Sequence, residues 1–103
     1  ENGADVNTIN RVCQTALMYV SRNGDREVVK LLLEKGADVN FSDNYGDTPL
    51  MEAASNGNID IVEMLIEKGA DINAKNKVEE TALSLSLKCG YVDIPNLIDK
   101  GNI

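Results

Sequence analysis

The chain contains 103 residues, of which 43% are apolar and 26% are charged, and its formal net charge is −7. A chain of this length makes one folded unit with enough apolar material for a core. The acidic balance, without a run of lysine or arginine, argues against sequence-independent binding to nucleic acid or to an anionic membrane. No apolar stretch approaches the roughly 20 residues of a membrane helix, and the start shows no signal-peptide pattern.

An internal repeat runs through the chain. The segment Gly3–Asn7 recurs as Gly36–Asn40 and, with one conservative change, as Gly69–Asn73. The period is 33 residues, because 36 − 3 and 69 − 36 are equal. Two further landmarks keep the same spacing, namely the glycines Gly24, Gly57 and Gly90 and the threonines Thr15, Thr48 and Thr81. Such a period is typical of stacked units that bind along a shared surface, not of a globule around a catalytic cleft.

The N-terminal part of the chain contains residues 1–7, which match the end of a repeat, and a first complete copy over residues 8–40. We therefore expect the chain to be a piece of a longer array. Within the first copy, an amphipathic helix is predicted to begin near Glu27 and to end near Lys35, followed by a glycine.

The middle copy, residues 41–73, shows two predicted helices most clearly. Thr48 is a favourable N-cap, because its hydroxyl can accept a hydrogen bond from an unpaired backbone N–H, and Pro49 suits the first helical position. Leu50 and the alanines three and four residues later form an apolar stripe. Gly57 can adopt the left-handed conformation that ends this helix, and a second amphipathic helix is predicted after it.

The last copy, residues 74–103, is shortened in its second helix. Its two glycines are 101 − 90 = 11 residues apart, whereas those of the middle copy are 69 − 57 = 12 apart. Pro95 falls in this helix and is tolerable only in its first turn. We expect a short final helix and the least stable part of the array at this end.

These landmarks resemble the ankyrin repeat, which combines a Thr-Pro-Leu helix start, a glycine between two helices and a Gly-Ala-Asp-x-Asn exit turn. Residues 43–73 match this pattern best, and the resemblance covers nearly the whole chain. It implies an all-α solenoid of stacked helix-turn-helix units with projecting β-turn tips. The family's tip glycine is present as Gly46 but is replaced by Cys13 and Glu79 in the flanking copies, so we expect looser or differently shaped tips there.

The resemblance also implies a function. Ankyrin repeats act as non-catalytic protein–protein interaction modules, scaffolds or adaptors, and here we expect a monomer without cofactor or metal that holds a protein partner in its concave groove. Two alternatives remain: a regulatory or substrate-targeting arm of a larger enzyme or channel, and a structural spacer with an empty groove. Cys13 and Cys89 lie two repeats apart, beyond disulfide reach. Free thiols favour an intracellular, cytoplasmic location, with the nucleus as an open alternative.

The family's contact positions can be carried onto this sequence one by one. They are Ile9, Arg11, Val12, Gln14, Arg22 and Asn23 in the first copy; Ser42, Asn44, Tyr45, Asp47, Ser55 and Asn56 in the second; and Lys75, Lys77, Val78, Glu80, Lys88 and Cys89 in the third. Tyr45 leads, because a tyrosine at a tip combines contact area with a hydroxyl, unless its ring covers the neighbouring tip. Arg11 and Arg22 follow, since a guanidinium can pair with a carboxylate through two hydrogen bonds.

The charge of these positions favours an acidic or phosphorylated partner segment. Five are cationic and two are anionic, a balance of +3, which falls to +1 when Asp43 and Glu79 are added. A cationic groove on an acidic body would attract carboxylates or phosphates.

Catalytic chemistry has little support in the residues. The chain contains no histidine, which excludes a Ser-His-Asp or Cys-His site within it. Glu52, Glu63 and Glu67 are predicted to lie on solvated helix faces rather than to form an acid–base pair. Asn40 and Asn73 resemble asparagines that a 2-oxoglutarate oxygenase hydroxylates in some ankyrin repeats, although the exit turn itself demands the same residues.

Overall fold

The computed structural model describes Ile9, residues 15–91 and residues 93–101, and in this part of the chain it contains helices and turns but no strand. The helices form three consecutive pairs. Their bounds are α1 Ala16–Asn23, α2 Arg26–Glu34, α3 Pro49–Ser55, α4 Ile59–Glu67, α5 Ala82–Lys88 and α6 Ile94–Gly101. The predicted all-α architecture is confirmed.

The first helix of each pair begins in the same way. The hydroxyls of Thr15, Thr48 and Thr81 accept hydrogen bonds from the backbone N–H three residues later, at 3.3, 3.3 and 3.1 Å. Pro49 occupies the first helical position of α3, where it has no N–H to leave unpaired. Gly57 has φ = 73°, as predicted for the residue that reverses the chain after α3.

The helices stack in two rows. The inner row consists of α1, α3 and α5, which contact one another in order, and the outer row consists of α2, α4 and α6. Ala53 and Ala54 on α3 are completely buried between the neighbouring inner helices. Their small side chains permit close stacking, and larger residues fill the space between the rows. The most buried of these are Leu17, Val29, Leu50, Ile61, Val62, Leu65 and Ile94.

The middle turn tip is held by the side chain of Asp43. One of its carboxylate oxygens accepts hydrogen bonds from the backbone N–H groups of Tyr45 and Asp47, both at 2.9 Å. The backbone closes the same turn, because Asp43 N–H donates to the Asp47 carbonyl and Gly46 N–H donates to the Asp43 carbonyl. Gly46 has φ = 80°, which requires the left-handed region.

The third tip repeats this arrangement with different residues. The Asn76 side-chain oxygen accepts from the N–H groups of Val78 and Glu80, at 3.0 and 2.9 Å, and the two backbone hydrogen bonds are also repeated. Glu79 stands in the glycine position with φ = 67°. The prediction of a looser or differently shaped tip is therefore wrong at Glu79, because the Asn76 side chain holds the turn in spite of backbone strain.

Consecutive tips are joined to each other. Lys77 N–H donates to the Tyr45 carbonyl at 2.9 Å, and the Asn76 amide donates to the Asp47 carboxylate at 2.9 Å. The packing is so close at Gly46 that an added Cβ would lie 2.9 Å from the Asn76 Cα. Glycine is needed at Gly46 for space as well as for backbone conformation.

The last helix pair matches its expected shape. Pro95 lies in the first turn of α6, which has 8 residues where α2 and α4 each have 9. The predicted position of the proline and the shorter helix are confirmed. Ile94 and Ile98 remain buried, with 0% and 3% exposure, so the shortened helix keeps its apolar contact with the stack.

Candidate functional site

A pocket of about 310 Å³ lies on the inner-row side, between the tips of the second and third repeats. We call it the inter-tip pocket. Six of its lining residues were expected from the sequence: Tyr45, Asp47, Ser55, Lys77, Val78 and Glu80. Four were not: Met51, Glu52, Asn76 and Leu85. The structure thus brings together expected positions from two repeats. It also places four further residues in the pocket lining that were not among the predicted positions.

Two of the residues that were not predicted, Glu52 and Leu85, occupy equivalent positions in their repeats. Glu52 and Leu85 are both four residues after a capping threonine, and Tyr19 holds the same place in the first repeat. At this position Glu52 and Leu85 both line the inter-tip pocket. Comparing the three copies would have identified Glu52 and Leu85 as equivalent positions, with Tyr19 as their counterpart in the first repeat.

The walls of the inter-tip pocket are apolar and aromatic. Tyr45 exposes 59% of its surface and Val78 exposes 70%. The Tyr45 ring is therefore available to a partner and is not covered by the neighbouring tip. Met51 is buried beneath the pocket and Leu85 is partly buried, which gives the exposed residues a firm apolar base.

The floor on the second-repeat side is anionic. Asp43, Asp47 and Glu52 bring carboxylate oxygens within 4.8 Å of one another. Burial raises the pKa of Asp47, the Asn76 hydrogen bond lowers it, and the charges of Asp43 and Glu80 raise it further, with a net upward shift. Each effect of like charge or burial disfavours the ionised form.

Glu52 does not lie on a solvated face as the sequence had indicated. It is half-buried, and burial is the main reason that its pKa is raised. The positive charge of Arg22 lowers the pKa of Glu52, while Asp47 and Asp43 raise it. The prediction failed because Glu52 is on the groove side of α3, whereas Glu63 and Glu67 on α4 are exposed as expected.

The expected cationic groove stays a prediction, but two of its lysines in the third repeat are paired with carboxylates. Lys88 is paired with Glu80 at 3.2 Å and Lys75 with Glu79 at 3.8 Å. The hydrogen bond from Asn76, followed by that from Lys88, lowers the pKa of Glu80. Lys77 is the cation that lines the pocket, against three lining carboxylates.

Comparison with known protein families decides the relationship. A model described as "Ankyrin repeats (3 copies)" matches residues 2–76. The chain belongs to the ankyrin-repeat family. No curated protein matches it. The match ends before α5 begins, and the third helix pair continues the same stack beyond it.

Ankyrin repeats generally mediate protein–protein interaction. Arg22, one of the expected contact positions, lies beside the ring of Tyr19. Its guanidinium carbon lies 5.2 Å from the centre of the Tyr19 ring, within cation–π range. Tyr19 itself is 54% exposed. Arg22 is half-buried, and its Nε has no hydrogen-bond partner among the described residues. It therefore sits between an aromatic ring and the charge of Glu52, rather than extending freely into solvent.

The remaining expected positions lie outside the inter-tip pocket or outside the described residues. Those that lie outside the pocket have exposed side chains, namely Ile9, Asn23, Ser42, Asn44, Asn56, Lys75, Lys88 and Cys89. Arg11, Val12, Cys13 and Gln14 lie outside the described residues, as does the predicted repeat remnant at 1–7. Ser55 and Asn56 are partly used within α3, since both side chains donate to the Glu52 backbone carbonyl.

The exit-turn asparagines are exposed, and Asn40 has a structural role in the ankyrin stack. Its side-chain nitrogen donates to the Gly69 carbonyl at 3.2 Å, and its oxygen accepts from Asp71 N–H at 2.7 Å. These bonds join the exit turns of consecutive repeats. Hydroxylation of Asn40 and Asn73 stays a prediction.

Within the described part of the array, Asp43, Asp47 and Glu52 are the carboxylates spaced closely enough to share a cation. Two of them already serve the tips, because Asp43 accepts two backbone N–H groups and Asp47 accepts the Asn76 amide. No described helix has the length and apolar character required to cross a bilayer.

Proposed function

We propose that this ankyrin array is a non-catalytic protein-interaction module that binds a protein partner in the groove formed by the turn tips and the inner helices. The observation that carries the proposal is the inter-tip pocket itself. It places two exposed apolar anchors, Tyr45 and Val78, beside polar groups on a surface built from hydrogen-bonded tips.

Such a surface suits protein recognition for an energetic reason. The tips are already joined through the Lys77–Tyr45 and Asn76–Asp47 hydrogen bonds. A preformed surface loses little conformational entropy on binding, so a few anchors can provide most of the affinity. Tyrosine at the centre of a groove is a frequent anchor of this kind.

Binding without catalysis is part of the proposal. The chain contains no histidine, and the pocket's ionisable groups are carboxylates, Lys77 and Tyr45. We propose an intracellular location because the thiol of Cys89 is free and exposed, which is typical of a reducing compartment. We also propose that the chain is a monomer.

The test is affinity capture with three baits of matched melting temperature. They are the wild-type chain, a Tyr45→Ala/Arg22→Glu double variant of the groove, and a Leu31→Ala control, which changes an apolar residue that is 51% exposed on the outer-row helix α2. We expect a protein that the wild type and the control retain and that the groove variant loses. Equal recovery on all three baits, or no specific recovery on any of them, would contradict groove binding.

A further inference from the structure

We infer that the inter-tip pocket receives a lysine or arginine side chain of the partner segment, with an apolar side chain of the same segment beside it. The inference rests on the proposed function, because it specifies the chemistry of a partner in the same groove. It reverses the acidic partner that the sequence positions had favoured.

The first support is an incompletely paired carboxylate. The Glu52 carboxylate makes no hydrogen bond or salt bridge to any residue that the structure describes, yet it is half-buried at the floor of the pocket. Asp47 lies within 4.8 Å of it and receives one side-chain hydrogen bond, from Asn76. A carboxylate that is partly shielded from water in this way gains when a partner supplies the opposite charge and its hydrogen bonds.

The second support is that the lysine and arginine side chains near the inter-tip pocket do not offset the negative charge of Asp47 and Glu52. Lys88 is engaged with Glu80, Lys77 is exposed at the tip, and Arg22 acts on Glu52 from the neighbouring repeat. With all three in place, the pKa values of Asp47 and Glu52 are still raised. An added cation would favour the ionised carboxylates, whereas a carboxylate or phosphate of a partner would be repelled.

The third support is the shape of the walls. Lysine and arginine have long aliphatic stems that pack on apolar surface while the charged end reaches a polar group. Val78 and Leu85 provide such a surface beside the carboxylates, and the exposed Tyr45 ring can also accept a cation on its face. The same walls suit an apolar neighbour, because the side chains of Tyr45 and Val78 are both largely exposed and can each contact an apolar group.

A comparison for the charge of the inter-tip pocket is provided by a second pocket of about 370 Å³, on the outer row. Its charged lining residues balance, with three cations and three anions: Arg26, Lys30, Lys68, Glu27, Glu34 and Glu67. The inter-tip pocket has one lining cation, Lys77, and three lining anions, of which Glu80 is paired with Lys88 and Asp47 and Glu52 have no salt bridge among the described residues. Charge complementarity therefore favours a basic segment at the inter-tip pocket and no particular sign at the outer row.

The experiment is selection of a random linear peptide library displayed on phage against the wild-type chain. We expect the selected peptides to share lysine or arginine at one position with an apolar residue close to it. One selected peptide is then synthesised together with a version in which norleucine replaces that cation. Both are titrated calorimetrically against wild type, Glu52→Gln and Glu63→Gln, the last being the matched control on an exposed outer face.

We expect Glu52→Gln to weaken the cationic peptide about tenfold, and the norleucine peptide to bind wild type about tenfold more weakly. Combining the two changes should cost little more than either alone, because they remove the same interaction. Glu63→Gln should leave affinity unchanged. Thermal melts of both variants establish that they are folded before the titrations are compared.

Several outcomes would overturn the inference. Selected peptides without a common cation, a preference for acidic residues, or additive effects of Glu52→Gln and norleucine would each do so. If such peptides are nevertheless lost with Tyr45→Ala, groove binding stands and the basic-residue inference alone falls. A library that yields no specific peptide, together with a negative lysate capture, would contradict both.

Discussion

The middle and third turn tips have the same hydrogen bonds but different residues at the left-handed position. Gly46 holds it in one tip with φ = 80°, and Glu79 holds it in the other with φ = 67°. The next tip packs against Gly46, with the Asn76 Cα 2.9 Å from the place of a Cβ. The comparison shows that the Asx side chain sets the turn, whereas glycine becomes indispensable where another tip stacks closely upon it.

The largest expected effect comes from Gly46→Ala. The new methyl group would strain the left-handed backbone and collide with the Asn76 backbone, so we expect a loss of about 3 kcal/mol in the free energy of unfolding. Urea denaturation measures it. Gly36→Ala is the control, because Gly36 has φ = 90° but no atom within 4 Å of its Cβ position. An equal loss in the two variants would show that the collision contributes nothing.

Asn76→Ala should have the next largest effect. Asn76 is 7% exposed, and its side chain accepts two backbone N–H groups and bridges Asp47 to Glu80. Leaving two part-buried backbone N–H donors and the Asp47 carboxylate without these bonds should cost about 2 kcal/mol. Denaturation curves give the value, and Asn44→Ala, at an exposed position of the preceding tip, should be nearly neutral. A neutral Asn76→Ala would show that the backbone alone holds this turn.

Glu79→Gly should act in the opposite direction. Removing the side chain relieves the left-handed strain, which is about 1 kcal/mol for a residue other than glycine. The glycine also raises the entropy of the unfolded chain and breaks the exposed Lys75–Glu79 ion pair at 3.8 Å, so the gain should be smaller than the strain. Glu79→Ala, which keeps the strain and loses the same ion pair, is the control. A lower unfolding free energy for the glycine variant than for the alanine variant would refute the strain.

A smaller effect is expected in the pH dependence of the unfolding free energy, to which Glu52 and Glu80 should contribute with opposite signs. The folded pKa of Glu52 is raised above its ordinary value of 4.5, so the folded protein binds the proton more tightly than the unfolded chain, and its contribution to stability falls as pH rises through this window. Glu52→Gln should therefore stabilise the chain near neutral pH, and the gain should vanish below pH 4.5. Glu80 has a lowered pKa, so its contribution is present above 4.5 and is lost as pH falls through the folded pKa.

Chemical denaturation of Glu52→Gln and Glu80→Gln across this range gives both signs. Glu80→Gln should destabilise the chain near neutral pH, because it weakens the contacts with Asn76 and Lys88. Two variants that shift stability in the same direction at neutral pH would contradict the opposite environments of the two carboxylates.

The third repeat should also open sooner than the middle one. Its final helix is one residue shorter and has no further described repeat packed beyond it. Repeat arrays open from weak ends, so amides of residues 91–101 should exchange faster than those of residues 58–68. Hydrogen exchange followed by mass spectrometry measures this, and equal protection of the two segments would refute it.

The helix pairs and their caps could be predicted because their causes are local. Thr48, Pro49 and Gly57 act on residues within one turn of themselves, and the 33-residue period repeats those signals. The tip at Glu79 could not be predicted in this way. Its shape depends on the hydrogen bonds of Asn76, whose importance is not visible from the absence of glycine.

The candidate site was predictable in its positions but not in its charge. The repeat register predicts exposed positions at Tyr45 and Val78, and both residues are exposed. The sequence predicts a solvated helix face for Glu52, but its side chain is half-buried and lines the inter-tip pocket. On a helix of seven residues, a small change in the direction of a side chain decides between these two environments. Glu52 adds a carboxylate to the pocket lining, and Lys88 and Lys75 are paired with carboxylates, so the pocket is more anionic than the predicted positions indicate.

The amino-acid sequence by itself determined the repeat length, the family, the helix pairs and the presence of a tip at each repeat, because each follows from short-range signals in constant register. Only the tertiary structure decided which carboxylates meet, which cations are already paired, and which glycine has no room for a side chain. The close approach at Gly46 and the Asn76–Asp47 hydrogen bond arise between residues about 30 positions apart, in consecutive repeats. The approach of Asp43, Asp47 and Glu52 and the pairs Lys75–Glu79 and Lys88–Glu80 form within single repeats, where the folded tip and helix bring the side chains together.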